Sequence, residues 1–314
     1  MNHLLFCLNA TVPIFALMLL GIFFRRINLF DEGFINKANK FVFSVAIPVL
    51  LFKDMSTADI STTWNTAFVL FCLISTLLSV VLAYFLSIPF RNSCSQGEFI
   101  QSSYRSSVAI LGIALTENIY GNAGMAPLML IGAVPVYNII AVLSLELFKP
   151  NVHTFDSHRL KHTCKEILTN PIILGIIVGI LWSALKIPVP AMLSKTLTSV
   201  SNLATPLGLM TMGAAFDMKQ SLGNLKPALV VTFMKLIGYA AIFLPIAVLL
   251  GFRDSHLVSI LIMLSSPATI AGYIMAKNMG HDGTLSAASV MLTTALSAFT
   301  LTMWLFILRS LGLI

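Results

Sequence analysis

The residues of this chain that could do chemistry sit where apolar sequence is interrupted. Residues 101–112 read Gln-Ser-Ser-Tyr-Arg-Ser-Ser-Val-Ala-Ile-Leu-Gly, placing five hydroxyls and Arg105 at the head of an otherwise apolar run. Residues 264–272 read Leu-Ser-Ser-Pro-Ala-Thr-Ile-Ala-Gly, with three hydroxyls around a proline and a glycine. Unpaired backbone groups are costly in hydrocarbon, so helix breakers persist there where unwound backbone lines a cavity. An unwound helix yields two half-helices. The exposed N-terminus of one offers free N–H groups and a partial positive charge to an anion, and serine or threonine adds donors without a formal charge. On this reading Ser106, Ser107, Val108, Ala109 and Ile110 in the first stretch, and Ser266, Pro267, Ala268 and Thr269 in the second, are candidate substrate-binding residues. The plainer use of such residues is close helix packing.

Two further positions join them. Lys235 lies deep in the apolar run Val231-Thr232-Phe233-Met234-Lys235-Leu236-Ile237-Gly238-Tyr239. A lysine inside such a run is a functional candidate by default. It supplies a charge to a substrate, or it is a structural cation paired with a carboxylate such as Asp217 or Glu146 or with backbone carbonyls. Asn138, in Pro135-Val136-Tyr137-Asn138-Ile139, is a neutral amide that binds a ligand or ties two helices together. Arg105 reads as shallower, an anion attractor or an anchor reaching the membrane surface. Glu117, Glu146 and Asp217 fall near span ends, so no mid-membrane acidic pair of the kind that holds cations is evident, and the charge inventory leans toward an anionic substrate. His158, His162 and Cys164 lack a third well-spaced ligand, so neither a metal site nor any other cofactor is expected.

The elements that position these residues follow from composition. Of 314 residues, 57% are hydrophobic and 10% charged, which excludes a soluble domain. Apolar stretches of about 20 residues span a bilayer as helices. Ten are visible, at roughly 4–24, 36–53, 64–89, 99–118, 124–148, 167–186, 193–216, 227–251, 256–279 and 284–308. The first has no basic region before it and reads as a retained helix. The net charge of +7 is mostly topology. Of 19 lysines and arginines, Lys53, Lys186, Lys195, Arg253 and Arg309 fall on one side and Lys235 inside a span, which leaves thirteen for the other side. That bias places the thirteen in the cytoplasm and both termini outside it. Nucleic acid is not an expected partner.

The chain also repeats itself. Pro13-Ile14 returns as Pro171-Ile172, Gly21-Ile22 as Gly179-Ile180, Lys37 as Lys195, the set Ala46, Pro48, Leu51 as Ala204, Pro206, Leu209, and Asp59 as Asp217, all at an offset of 158 residues. Ser106-Ser107 returns as Ser265-Ser266, one residue out of register. Five spans per half make the second half (166–314) enter the membrane inverted relative to the first (1–150), with a polar cytoplasmic linker at 151–165. Inverted repeats with interrupted helices at corresponding positions are how many transporters build a site at the midplane. Pro48 and Pro206, mid-span in the second and seventh spans, should kink both.

These residues resemble the auxin efflux carrier family, which includes malate permease-type carriers. The resemblance rests on the ten-span repeat, Asn39-Lys40-Phe41-Val42-Phe43-Ser44-Val45-Ala46-Ile47-Pro48, Ala109-Ile110-Leu111-Gly112-Ile113-Ala114-Leu115, Thr232-Phe233-Met234-Lys235-Leu236 and Pro267-Ala268. It implies an all-α integral membrane fold like that of bile-acid symporters and sodium/proton antiporters. Spans one, two, six and seven would form a scaffold, and three to five with eight to ten a bundle that moves elevator-fashion. Broken helices four and nine would cross at Ser107–Ile110 and Pro267-Ala268, beside Asn138 and Lys235. The chain departs from the family in having Ser106, Ser107 and Val108 where an asparagine or proline is common. It also lacks the long central loop of plant auxin carriers. The function expected is secondary active transport of a small organic anion, a mono- or dicarboxylate such as malate or malonate, across the inner cell membrane, coupled to H+ or Na+ and not enzymatic. The family suggests a homodimer, with lipid as the surrounding partner. The alternatives are a sodium-coupled symporter of larger amphipathic anions, or a receptor or intramembrane enzyme.

Overall fold

The structure is a computed structural model. It describes Pro13 and residues 16–56, 65–91, 95–108, 115–116, 119–120, 124–149, 169–215 and 225–314. The expected linker at 151–165, the candidate residues Ala109 and Ile110, and both Glu117 and Asp217 lie outside the described residues.

Among the described residues the chain is helical, without strands. Helix α1 covers 16–26. It is followed by α2 (Glu32–Phe41), α3 (Ile47–Ser56), α4 (Thr66–Ser87), α5 (Gln96–Tyr104), α6 (Ala126–Leu147) and α7 (Pro171–Ala184). Then come α8 (Ala191–Ser201), α9 (Ala204–Ala214), α10 (Leu225–Phe233), α11 (Tyr239–Leu249), α12 (Asp254–Ser265), α13 (Ile270–Asn278) and α14 (Thr284–Ser310). Local sequence sets most starts. Asp31, Asn65, Ser95, Asn170 and Thr269 each accept a backbone N–H of the first turn of α2, α4, α5, α7 and α13, satisfying donors a helix start leaves open.

Among the described residues, five helical stretches are long and apolar enough to cross a membrane: Glu32–Ser56, Thr66–Phe90, Ala126–Leu147, Leu225–Leu249 and Thr284–Ser310. Their packing pattern is that of a lipid-embedded bundle. In α4 the buried positions include Cys72, Ser75, Thr76, Ser79 and Ser87, while Leu70, Ile74, Leu77, Leu78, Val81 and Phe85 are exposed. Water would favour the reverse. In lipid, small and weakly polar residues face neighbouring helices and large apolar ones face the acyl chains.

The two prolines expected to kink their spans act differently. Pro48 lacks an N–H and its ring crowds the carbonyl four residues back. The helix answers with a wide π-helical turn at Val42–Ala46, closed by the Ile47 N–H on Val42 O. Pro206 instead falls in the first turn of α9, where N–H groups have no partner anyway. There the expected span 193–216 is interrupted at residues 202–203.

Glycine lets helices distant in sequence touch. A Cβ on Gly21 would sit 2.0 Å from Met210 O, and one on Gly213 2.1 Å from Met18 O, so α1 and α9 touch backbone to backbone. A Cβ on Gly179 would meet Phe52 O at 2.8 Å, and one on Gly175 would meet Pro48 O at 2.6 Å, which joins α7 to α3 in the same way. Gly21 and Gly179 stand 158 residues apart, and so do Phe52 and Met210.

Candidate functional site

The centre of the bundle is a junction between two helix ends. Helix α5 stops at Tyr104 and the backbone is extended at Arg105. Helix α12 stops at Ser265, continues extended through Ser266, and resumes as α13 at Ile270. The two extended pieces pair through an antiparallel bridge between Ser106 and Ala268, with the Ser107 N–H donating to Pro267 O at 2.9 Å. Pro267 has no N–H to give, so only its carbonyl joins the pairing. The Ala268 N–H donates instead to Thr293 Oγ1 of α14 at 3.0 Å. Thr269 caps α13 through the Ala271 N–H at 3.3 Å.

Lys235 fills the space between the two helix C-termini. It lies in a π-helical turn, Met234–Gly238, that joins α10 to α11. Its ammonium donates to Tyr104 O at 3.0 Å, to Leu264 O at 3.2 Å and to Ser106 Oγ. Tyr104 is the last residue of α5, and Leu264 the last but one of α12. Helix C-termini carry partial negative charge and unsatisfied carbonyls, so a single cation serves both ends. The same turn leaves Leu236 O to accept from Ser265 Oγ at 2.6 Å and from Trp304 Nε1 at 3.1 Å. The Ser106 hydroxyl in turn donates to Met263 O, which also accepts from Tyr137 Oη at 3.0 Å.

Arg105 is buried beside this junction. Its guanidinium donates to Asn138 Oδ1 on α6 and to Met275 Sδ on α13. Asn138 is held by its Nδ2 donating to Val134 O at 2.8 Å. The ion pairs among the described residues are Arg25–Glu32 and Lys149–Glu146, neither at the junction.

With this geometry in place, comparison with known proteins identifies the chain. The profile of the family described as membrane transport protein matches residues 6–305. The chain belongs to the auxin efflux carrier family. An uncharacterized transporter of Methanothermobacter thermautotrophicus is similar to it, 21% identical over 300 residues that cover 94% of this chain and 96% of that protein. The family is one of membrane transporters.

Of the candidate residues, Ser106, Ser107, Val108, Ser266, Pro267, Ala268 and Thr269 come together at the junction, with Lys235 between its helix ends and Asn138 one residue away through Arg105. The Ser266 hydroxyl is buried without a partner. The described backbone of the first stretch is extended at Arg105–Ser107, and the rest of the expected crossover, Ala109 and Ile110, lies outside the described residues. Arg105 is buried at the interruption, because the helix that begins at Gln96 stops at Tyr104. The Lys235 partners are carbonyls and a hydroxyl; Glu146 lies elsewhere, in the pair with Lys149.

Glu98 escaped the sequence reading because it fell just before the estimated start of span four. It is buried, and its carboxylate accepts from the Gly283 N–H at 2.9 Å, the Ser286 N–H at 3.0 Å and the Ser286 hydroxyl at 3.0 Å. It thus caps α14 from another helix and faces that helix's positive end. Beside it His281 joins Ser95 Oγ at 2.6 Å through Nδ1 and Leu145 O at 2.8 Å through Nε2. A carbonyl only accepts, so Nε2 carries the proton and Nδ1 accepts from the serine. The available signal was Ser95 three residues before Glu98, which marks a helix start. A hollow of about 540 Å³ bordered by Asn65, Phe252, Arg253 and His256 lies at the far end of α12, away from the junction.

Proposed function

We propose that this protein is a secondary active transporter of a small organic anion, bound at the Ser106–Ala268 junction and carried across the inner membrane by elevator-type alternating access. In this reading α5 and α12–α13 belong to spans interrupted at the membrane's middle, within ten spans arranged as two inverted halves with both termini outside the cytoplasm. The contacts of Gly21 on Met210 and of Gly179 on Phe52 support the repeat, since both partners recur at one offset. They also support α1, α3, α7 and α9 as a rigid scaffold beside the mobile bundle.

The observation that carries the anionic substrate is buried positive charge at a helix interruption. Lys235 and Arg105 are both buried there, and no described carboxylate pairs with either. Charged groups inside a membrane protein persist where they serve a pathway. The start of α13 adds the partial positive charge of a half-helix. Ser106 does meet Lys235, but that hydroxyl donates to Met263 O and the ammonium is also spent on two helix-end carbonyls, and the family is one of transporters, so catalysis is not proposed.

The test is uptake of radiolabelled malate, malonate and short monocarboxylates into proteoliposomes under imposed proton and sodium gradients, with wild type beside Ser107→Leu. Saturable, gradient-dependent uptake that is lost in the variant is the expected result. Failure of verified folded protein to accumulate any of these acids overturns the proposal.

A further inference from the structure

We propose that Arg105 is the residue that holds the substrate's charge, and that the site consequently takes a singly charged anion. The inference rests on the transport reading above and deepens it.

The argument is an inventory of donors. An ammonium has three N–H donors. Those of Lys235 meet Tyr104 O, Leu264 O and Ser106 Oγ, so its hydrogen-bonding capacity is spent within the protein. A guanidinium has five donors. Arg105 commits one to Asn138 Oδ1 and one to Met275 Sδ at 2.7 Å, and no described residue takes the other three. The thioether is a weak acceptor, and an amide oxygen is neutral. The residue is 4% exposed, so bulk water does not replace the missing acceptors. A guanidinium keeps its charge in proteins, and a buried charge without a counter-ion is costly. The negative end of α5, which Arg105 itself caps, offers about half a charge, and Lys235 already takes that end.

The arrangement fits one carboxylate. A planar fork with open N–H groups binds a carboxylate through two parallel hydrogen bonds. Asn138 fixes the plane of that fork from α6, and Met275 bounds it from α13. The first carboxylate of a dianion would be met in this way. The second would have to leave water beside Lys235, the other buried cation at the junction, whose three donors are already taken by the protein, and a carboxylate without hydrogen bonds in an apolar interior is strongly disfavoured. A dicarboxylic acid would therefore enter in its half-protonated form.

Uptake of radiolabelled lactate and succinate by proteoliposomes, at equal internal and external pH, separates the outcomes. In wild type, lactate uptake should saturate and exceed that of succinate at neutral pH by on the order of tenfold or more, the effect of one unmatched charged hydrogen-bonding group. Acidifying both sides should raise succinate uptake as its second carboxyl takes up a proton. Arg105→Gln should lower lactate uptake by on the order of tenfold or more, with Arg105→Lys keeping part of it because the charge remains. Succinate carried as well as lactate at neutral pH overturns the single-charge inference and leaves anion transport standing. Undiminished lactate uptake by monodisperse Arg105→Gln overturns the role of Arg105. If folded wild type accumulates neither acid nor any other organic anion, the transport reading falls, and this inference with it.

Discussion

The Lys235 junction makes a prediction that can be worked in numbers. Ser106 Oγ accepts from the Lys235 ammonium and donates to Met263 O. A buried hydrogen bond involving a charged group contributes about 1.5–3 kcal/mol, and a neutral one about 0.5–1.5 kcal/mol. Ser106→Ala removes both and should cost about 2–4 kcal/mol in an otherwise native protein. In a Lys235→Met background the charged bond is already gone. The same substitution then loses the neutral bond alone, and Tyr137 Oη still reaches Met263 O. The cost there should fall to about 0.5–1.5 kcal/mol. For a chain of this size one kcal/mol moves Tm by about 2 °C. Thermal unfolding in detergent should therefore show Ser106→Ala lowering Tm by about 4–8 °C alone and by about 1–3 °C beside Lys235→Met. Equal shifts in the two backgrounds would refute the claim that the ammonium ties the two helix ends together through Ser106.

Two further predictions concern the frame around the junction. Gly213→Ala should lower Tm, because a Cβ there lies 2.1 Å from Met18 O and neither backbone can yield without parting α1 from α9; overpacking of this kind costs about 1–3 kcal/mol or more. Gly33→Ala is the control. Its nearest neighbour would be Asp31 Oδ1 at 3.5 Å, so the better helix former should leave Tm unchanged or slightly raised when melted in parallel. Glu98→Ala should destabilise the start of α14 by about 1–2 kcal/mol, and Glu98→Gln by less, since the amide keeps one acceptor. Hydrogen exchange at residues 283–286 reads this directly, and unchanged protection in Glu98→Ala would show that the carboxylate does not cap that helix.

Much of this protein was determined by local sequence. Runs of apolar residues of bilayer length dictate helices, and α4, α6 and α14 follow them to within a few residues. Serine, asparagine, aspartate and threonine at the caps set where helices begin, since a helix start needs acceptors whatever it packs against. The hydroxyl-rich stretches and Lys235 stood out for the same local reason, as polar groups in sequence otherwise suited to lipid.

Tertiary structure decided what those groups do. Nothing in the run from Gln101 to Gly112 says that the helix ends at Tyr104, because Arg105 and Ser106 are tolerable helix residues by propensity. The pairing of Ser106 with Ala268 ends it, a contact between segments 162 residues apart. The roles of the two buried cations were equally illegible. Lysine and arginine inside a span carry the same local signal, and only packing shows that three oxygens gather around Lys235 while Arg105 meets one amide oxygen and one thioether. Periodicity and propensity report what one segment prefers. Which donors are satisfied depends on where distant segments put their acceptors, and that is settled when the helices pack.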